Sequence, residues 1–207
     1  MEDTDAGHKA IHIPLGNPPV VFGLPGSEHL VPQVLACLGW TLGACSFQVF
    51  PNGEICAKVE QTVTNHDVFL VSVRSDSSSE VNLALMRLLL LADALKGESP
   101  FRLTIVMPCL EYARQDRRLV AGEAIPPKLI LRCLQTAGVE RFLTVDLHNQ
   151  AEGGFAPPGF VLDELSADRY LADFLKTSLP DFDQDRVLVC ATNGGGMKFT
   201  RRMADIL

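Results

Sequence analysis

The sequence predicts an α/β protein built on a doubly wound, mostly parallel sheet. Short apolar runs alternate with longer helix-patterned segments along most of the chain. One run, residues 67–73 (DVFLVSV), is nearly all apolar with no polar alternation, as in a strand buried on both faces of a parallel sheet. A hydrophobic share of 47% against 21% charged residues, over 207 residues, is enough to build one large core and excludes wholesale disorder.

The elements follow in order. Residues 1–19 read as a loose leader, mixing Gly, Pro, His and charge without period. Residues 20–23 form a short apolar strand ended by Gly-Leu-Pro-Gly. Ser27 is placed to cap a helix over residues 28–38, closed by Gly39. Residues 47–50 and 55–59 are strand-like around the turn Pro51-Asn52-Gly53-Glu54, a hairpin pattern. After the apolar strand, Ser77-Ser78-Ser79-Glu80 offers a cap for a Leu- and Ala-rich helix running to Lys96. Residues 102–107 are a strand stopped by Pro108, and Pro126 opens a helix over residues 128–137, closed by Gly138. A strand at residues 141–145, a helix at 167–175 and a strand at 186–191 follow. The turn Asn193-Gly194-Gly195-Gly196 then leads into a final helix. The Gly- and Pro-rich stretch 153–159 marks a boundary between a domain at 20–152 and the start of a second at 153–207. That second unit is expected to be truncated, leaving Met197, Met203 and Ile206 exposed.

The formal charge of −7 argues against broad binding to nucleic acid or an anionic membrane surface. No apolar run reaches the roughly 20 residues a bilayer span needs. The acidic opening Met1-Glu2-Asp3-Thr4-Asp5 leads into no apolar stretch, unlike a secretory signal. Six scattered cysteines without a C-x-x-C pair read as reduced, core or near-core thiols of a cytoplasmic protein.

Ligands of open parallel sheets bind beyond the carboxyl ends of the strands. Beyond residues 102–107 stands Arg114-Gln115-Asp116-Arg117-Arg118. Forked guanidinium donors match phosphate oxygens, so the cluster suits a polyphosphate; the competing reading is a solvated, salt-bridged loop. Beyond residues 141–145 stands Asp146-Leu147-His148, where the carboxylate would fix the imidazole's tautomer at a metal or phosphate site. His8, His12, His29 and His66 have no such context and read as surface residues. The glycine turn at 193–196 opens a helix and could cradle an anion, although tight packing demands the same glycines. A Walker-type loop, a G-x-S-x-G elbow and an H-E-x-x-H helix are all missing from the sequence.

Taken together, these runs resemble a known family. Residues 102–118 (RLTIVMPCLEYARQDRR) are similar to the central signature of ribose-phosphate pyrophosphokinases, also called phosphoribosyl pyrophosphate synthetases, as is Leu143-Thr144-Val145-Asp146-Leu147-His148. Phe50-Pro51-Asn52-Gly53-Glu54 resembles that family's F-x-[DN]-x-E element, and the order and spacing agree from about Val20 to Leu207. The resemblance implies a phosphoribosyltransferase-like fold, a homo-oligomer, and transfer of the β,γ-diphosphoryl group of ATP to ribose 5-phosphate with Mg²⁺, for nucleotide biosynthesis. By matching position, Phe50, Asn52 and Glu54 would contact adenine from a neighbouring subunit. Arg114, Gln115 and Arg117 would hold ATP; His148 and Asn193 would stand at the metal.

Departures from the family pattern accompany it. The segment after Arg118 is Leu119-Val120-Ala121-Gly122-Glu123-Ala124 where the family is polar and basic. The Q-x-Q-G-F-F run is replaced by Gln150-Ala151-Glu152-Gly153-Gly154-Phe155-Ala156. In the S-P-D-x-G-G turn an uncharged Asn193 stands where the family has Asp, which weakens attraction for Mg²⁺. The family's K-x-R loop and its V-D-D-x-x-x-T-G-G-T grip on the 5-phosphate have no match within these 207 residues. Stand-alone turnover is therefore not expected, and ribose 5-phosphate would bind only if that half were supplied. The alternative is a non-catalytic regulatory or assembly subunit that binds nucleotide or a full-length paralogue.

Overall fold

The structure is a computed structural model that describes residues 17–73, 81–179, 182–183 and 186–207. Most of the leader, His8, His12 and the Ser77–Glu80 cap lie outside the described residues. Six parallel strands form the main sheet, in the order β2-β1-β5-β6-β7-β8. They are β1 (Asn17–Gly23), β2 (Thr41–Leu42), β5 (His66–Val71), β6 (Arg102–Val106), β7 (Arg141–Val145) and β8 (Val161–Leu165). β3 (Cys45–Val49) and β4 (Ile55–Val59) make the antiparallel hairpin expected around the Pro51–Glu54 turn.

Side-chain alternation along the strands decides which helix each face receives. Val20, Phe22, Val68, Leu70, Leu103, Ile105 and Phe142 pack with the buried faces of α2 (Val81–Gly97) and α3 (Pro126–Thr136). Val21 and Val71, on the other face, meet Val31 of α1 (Val31–Leu38), with Trp40 beside Phe69. Covering both faces explains why β5 is apolar nearly throughout. Its one buried acid, Asp67, is bound by Arg102 of β6. The hairpin lies against α2, where the Arg87 guanidinium sits 5.9 Å from the centre of the Phe47 ring.

Several boundaries differ from expectation. Ser27 does not cap α1: its hydroxyl donates to the Leu24 carbonyl, and the helix begins at Val31, next to Pro32. Gly39 closes it in the left-handed region, at φ 66°. The strand expected at residues 186–191 does not form, and Leu188 is 85% exposed. The sheet ends instead on β8, which follows the 153–159 stretch and pairs with β7 from Arg141↔Val161 to Val145↔Leu165. Asp163 and Glu164 hide β8 from a hydrophobic reading. An edge strand tolerates them, and Asp163 accepts a hydrogen bond from Arg141 of β7.

Past β8, α4 (Asp168–Ser178) and α5 (Met197–Ile206) pack together. Met203 is buried in the described chain, contrary to the expected exposure, whereas Met197 is 61% exposed. The cysteines are free thiols, but Cys37, Cys56, Cys109 and Cys190 are exposed rather than in the core. Among the described residues, no helix is long and apolar enough to cross a membrane.

Candidate functional site

Because β6, β7 and β8 are parallel, the segments leaving them emerge on one edge of the sheet. There they surround a cleft of about 740 Å³, whose remaining wall is the glycine turn and α5. A neighbouring cleft of about 500 Å³ lies toward Tyr112 and Pro126, and the two share Arg114, Gln115, Asp146 and His148. The Pro108 carbonyl after β6 accepts from the Val145 amide at 3.2 Å, which ties the two loops together at their roots.

Two non-glycine residues take left-handed backbone conformations here, Tyr112 at φ 62° and Asp146 at φ 45°. Tyr112 is held by its hydroxyl, which donates to Asn82 of α2. Asp146 turns the chain out of β7. Its amide donates to the Leu165 carbonyl, and its Oδ2 accepts from the Ala167 amide at 3.1 Å. The expected pairing of Asp146 with His148 is thus replaced: the left-handed turn breaks strand alternation and gives the carboxylate to the start of α4. Among the described residues no hydrogen bond joins the two side chains. Strained loop conformations anchored by neighbours are a familiar way to aim side chains into a site.

The electrostatics separate two kinds of charge. Arg114, Arg117 and Arg118 are exposed, and among the described residues none of them pairs with an acid. Among the described residues, then, the three guanidinium groups are not tied up in salt bridges. Asp116, between them, accepts a hydrogen bond from Asn149. On the opposite wall Arg202 pairs with the buried Asp168, and that guanidinium, with help from Ser166, holds the Asp168 carboxyl below its usual range. Behind the cleft Glu152 is fully buried, and among the described residues neither of its oxygens has a hydrogen-bond partner. Burial, reinforced by the carboxylates of Asp116 and Glu164, pushes its pKa up to about 7.

Of the residues singled out in the sequence, Arg114, Gln115, Arg117 and His148 meet in the cleft. Gly194 and Gly195 line it, while the Asn193 side chain beside them accepts from the Gly196 amide at 3.1 Å. Phe50, Asn52 and Glu54 do not join them: they stand at the exposed hairpin tip, where Asn52 Oδ1 accepts from the Glu54 amide at 3.2 Å. Sequence reasoning missed Glu164, Lys198 and Arg202 as cleft residues and Glu152 beneath it. The departure of residues 150–156 from the glutamine-rich pattern was the one signal pointing at Glu152.

Among the described residues no three His, Cys, Asp or Glu side chains converge on a metal position. Asp116, Asp146, Glu164 and His148 nevertheless share the cleft. That donor set fits a divalent cation that arrives with oxygen ligands of its own, as Mg²⁺ does on a polyphosphate.

The chain is similar to known proteins over most of its length. Residues 19–138 match the model of the N-terminal domain of ribose phosphate pyrophosphokinase. The ribose-phosphate pyrophosphokinases of Staphylococcus saprophyticus and Staphylococcus epidermidis are each 37% identical over 188 residues, covering 90% of this chain and 56% of theirs. The chain thus spans just over half the length of these curated relatives. The crystal structure of phosphoribosylpyrophosphate synthetase from Mycobacterium smegmatis superposes with a TM-score of 0.82 at 28% identity, covering 91% of this chain and 61% of that one.

Proposed function

The chain belongs to the ribose-phosphate pyrophosphokinase family, and on that premise we propose that its cleft binds ATP as the magnesium complex. The reaction served would be transfer of the β,γ-diphosphoryl group to ribose 5-phosphate. The observation carrying this reading is the set of arginines, unpaired with any acid among the described residues, that faces His148 beyond the ends of β6 and β7. Cations left without carboxylate partners inside a cleft favour an anionic ligand, and forked donors favour phosphate.

Arg114 and Arg117 would neutralise the phosphate oxygens, while Gln115 offers both a donor and an acceptor to the nucleoside. Mg²⁺, when bound, would screen the β- and γ-phosphate charge. His148, with Asp146 and Glu164 in the same cleft, would face it or its waters. Asn193 Oδ1 retains one lone pair beyond its bond to Gly196 and would contribute no charge. In such transfers the protein contributes mainly positioning and charge neutralisation, which the guanidinium groups of the cleft are suited to supply. The hairpin tip is exposed and does not line its own cleft, which supports Phe50, Asn52 and Glu54 serving the adenine of an adjacent subunit.

The K-x-R and V-D-D-x-x-x-T-G-G-T segments are not found in these 207 residues, so binding rather than turnover is the direct assay. Titration calorimetry of the wild type with Mg·ATP is expected to show binding that Arg114→Ala weakens by roughly tenfold or more. Equal affinity in the two proteins would overturn the phosphate role of the arginine loop.

A further inference from the structure

The wall of the cleft opposite the arginine loop is the first turns of α5, where Lys198, Phe199 and Arg202 line the space. Positions 198 and 202 are four apart and therefore lie on one face of the helix, one above the other. Their electrostatic situations differ. Arg202 donates through Nε and Nη2 to the buried Asp168, stands 5.9 Å from the centre of the Phe199 ring, and feels Asp146 and Glu164 as well. Its charge is largely spent within the protein. Lys198 is exposed to the cleft, and among the described residues it pairs with no acid.

This division of labour fixes the geometry of the wall. The Arg202–Asp168 pair ties the middle of α5 to the start of α4, and Lys176 of α4 donates to the Ile206 carbonyl at 2.9 Å, so the helix is fastened at its middle and at its C-terminal end. Lys198 then projects from a braced helix rather than from a loop. An ammonium on a four-carbon stem acts as a mobile point charge that reaches across a cleft, complementing the rigid forks of Arg114 and Arg117.

We propose that Lys198 is a third cationic contact for the polyphosphate, gripping it from the wall opposite Arg114 and Arg117. The inference rests on the nucleotide reading above. It predicts discrimination by phosphate number: the ligand must be long enough to touch both walls, so a triphosphate gains from Lys198 and a monophosphate gains little.

The test is calorimetry on the full chain with Mg·ATP and with AMP, for the wild type, Arg114→Ala, Lys198→Ala and Lys198→Arg. The exposed neighbour Arg201→Ala serves as the control for a general change in helix charge. Lys198→Ala is expected to weaken Mg·ATP by roughly tenfold, to change AMP affinity by less than about twofold, and to be rescued by Lys198→Arg. The Arg201→Ala variant should bind as the wild type does. Unchanged Mg·ATP affinity in Lys198→Ala, alongside loss in Arg114→Ala, would sink the inference and leave the nucleotide reading standing. Equal loss of ATP and AMP affinity would also overturn it, because the two-wall grip would be absent. A wild type that binds neither nucleotide would remove the nucleotide reading itself, and this proposal with it.

Discussion

Arg202 reaches 34 residues back along the chain to place its Nε 2.5 Å from Oδ2 of Asp168, joining α5 to the first turn of α4 beside the cleft. The carboxylate is buried and the guanidinium is part-exposed, so removing the acid frees a cation that can turn to water, at modest cost. Asp168→Ala is expected to destabilise the chain by about 1–3 kcal/mol at pH 7, lowering the thermal midpoint by several degrees. The sign with pH follows from the lowered carboxyl pKa. The pair's contribution is present above the ordinary value of 3.8 and is lost as pH falls through the lower folded value. Wild type and Asp168→Ala should therefore converge only as pH falls below the lowered folded value. Identical melting at pH 7 would show that the pair does not anchor α5.

Glu152 works in the opposite direction. Its carboxyl has an ordinary value of 4.5, raised in the fold to about 7, so the unfolded chain ionises first as pH rises. Stability is undiminished below 4.5, falls between 4.5 and 7, and stays reduced above that. Glu152→Gln removes the ionisation while keeping the shape. It should be more stable than the wild type by about 1–3 kcal/mol at pH 8, and by much less at pH 5, where the loss has only begun. Urea unfolding at the two pH values measures the difference. A gain at pH 5 as large as that at pH 8 would contradict ionisation as the source.

How far the sequence reaches can be judged from these residues. The arginine loop and His148 were legible because apolar runs with clear stops locate strand ends, and ligands collect beyond strand ends. β8 was not legible, since its central acids are tolerated only by an edge strand whose neighbour supplies Arg141. The expected strand at 186–191 failed for the complementary reason: its alternating apolar residues look right locally, yet among the described residues no strand pairs with them and Leu188 faces solvent. Asp146 was legible as a residue but not as a conformation, because its left-handed turn depends on the Leu165 carbonyl and the Ala167 amide. Lys198 and Arg202 became cleft residues only through the packing of α5 on α4, a relation between segments about 30 residues apart that no local pattern encodes.

The hairpin tip supplies a test of assembly. Phe50 is 40% exposed, its amide donates to the Glu54 carbonyl at 2.8 Å, and Asn52 closes the turn, so the tip is preorganised without touching its own cleft. A side chain outside the cleft cannot contribute to nucleotide affinity within a lone chain. If a second copy inserts this tip beside the adenine, affinity for Mg·ATP must rise with protein concentration, because the complete site forms only on association. Phe50→Ala is then expected to match the wild type at concentrations where sedimentation shows monomer. It should bind several-fold more weakly where the wild type self-associates, since an aromatic platform for a base contributes on the order of 1–3 kcal/mol. Glu54→Ala should follow the same concentration dependence with a smaller effect. A loss of affinity in Phe50→Ala that is equal at all protein concentrations would place the residue in its own chain's site, contrary to the geometry of the hairpin.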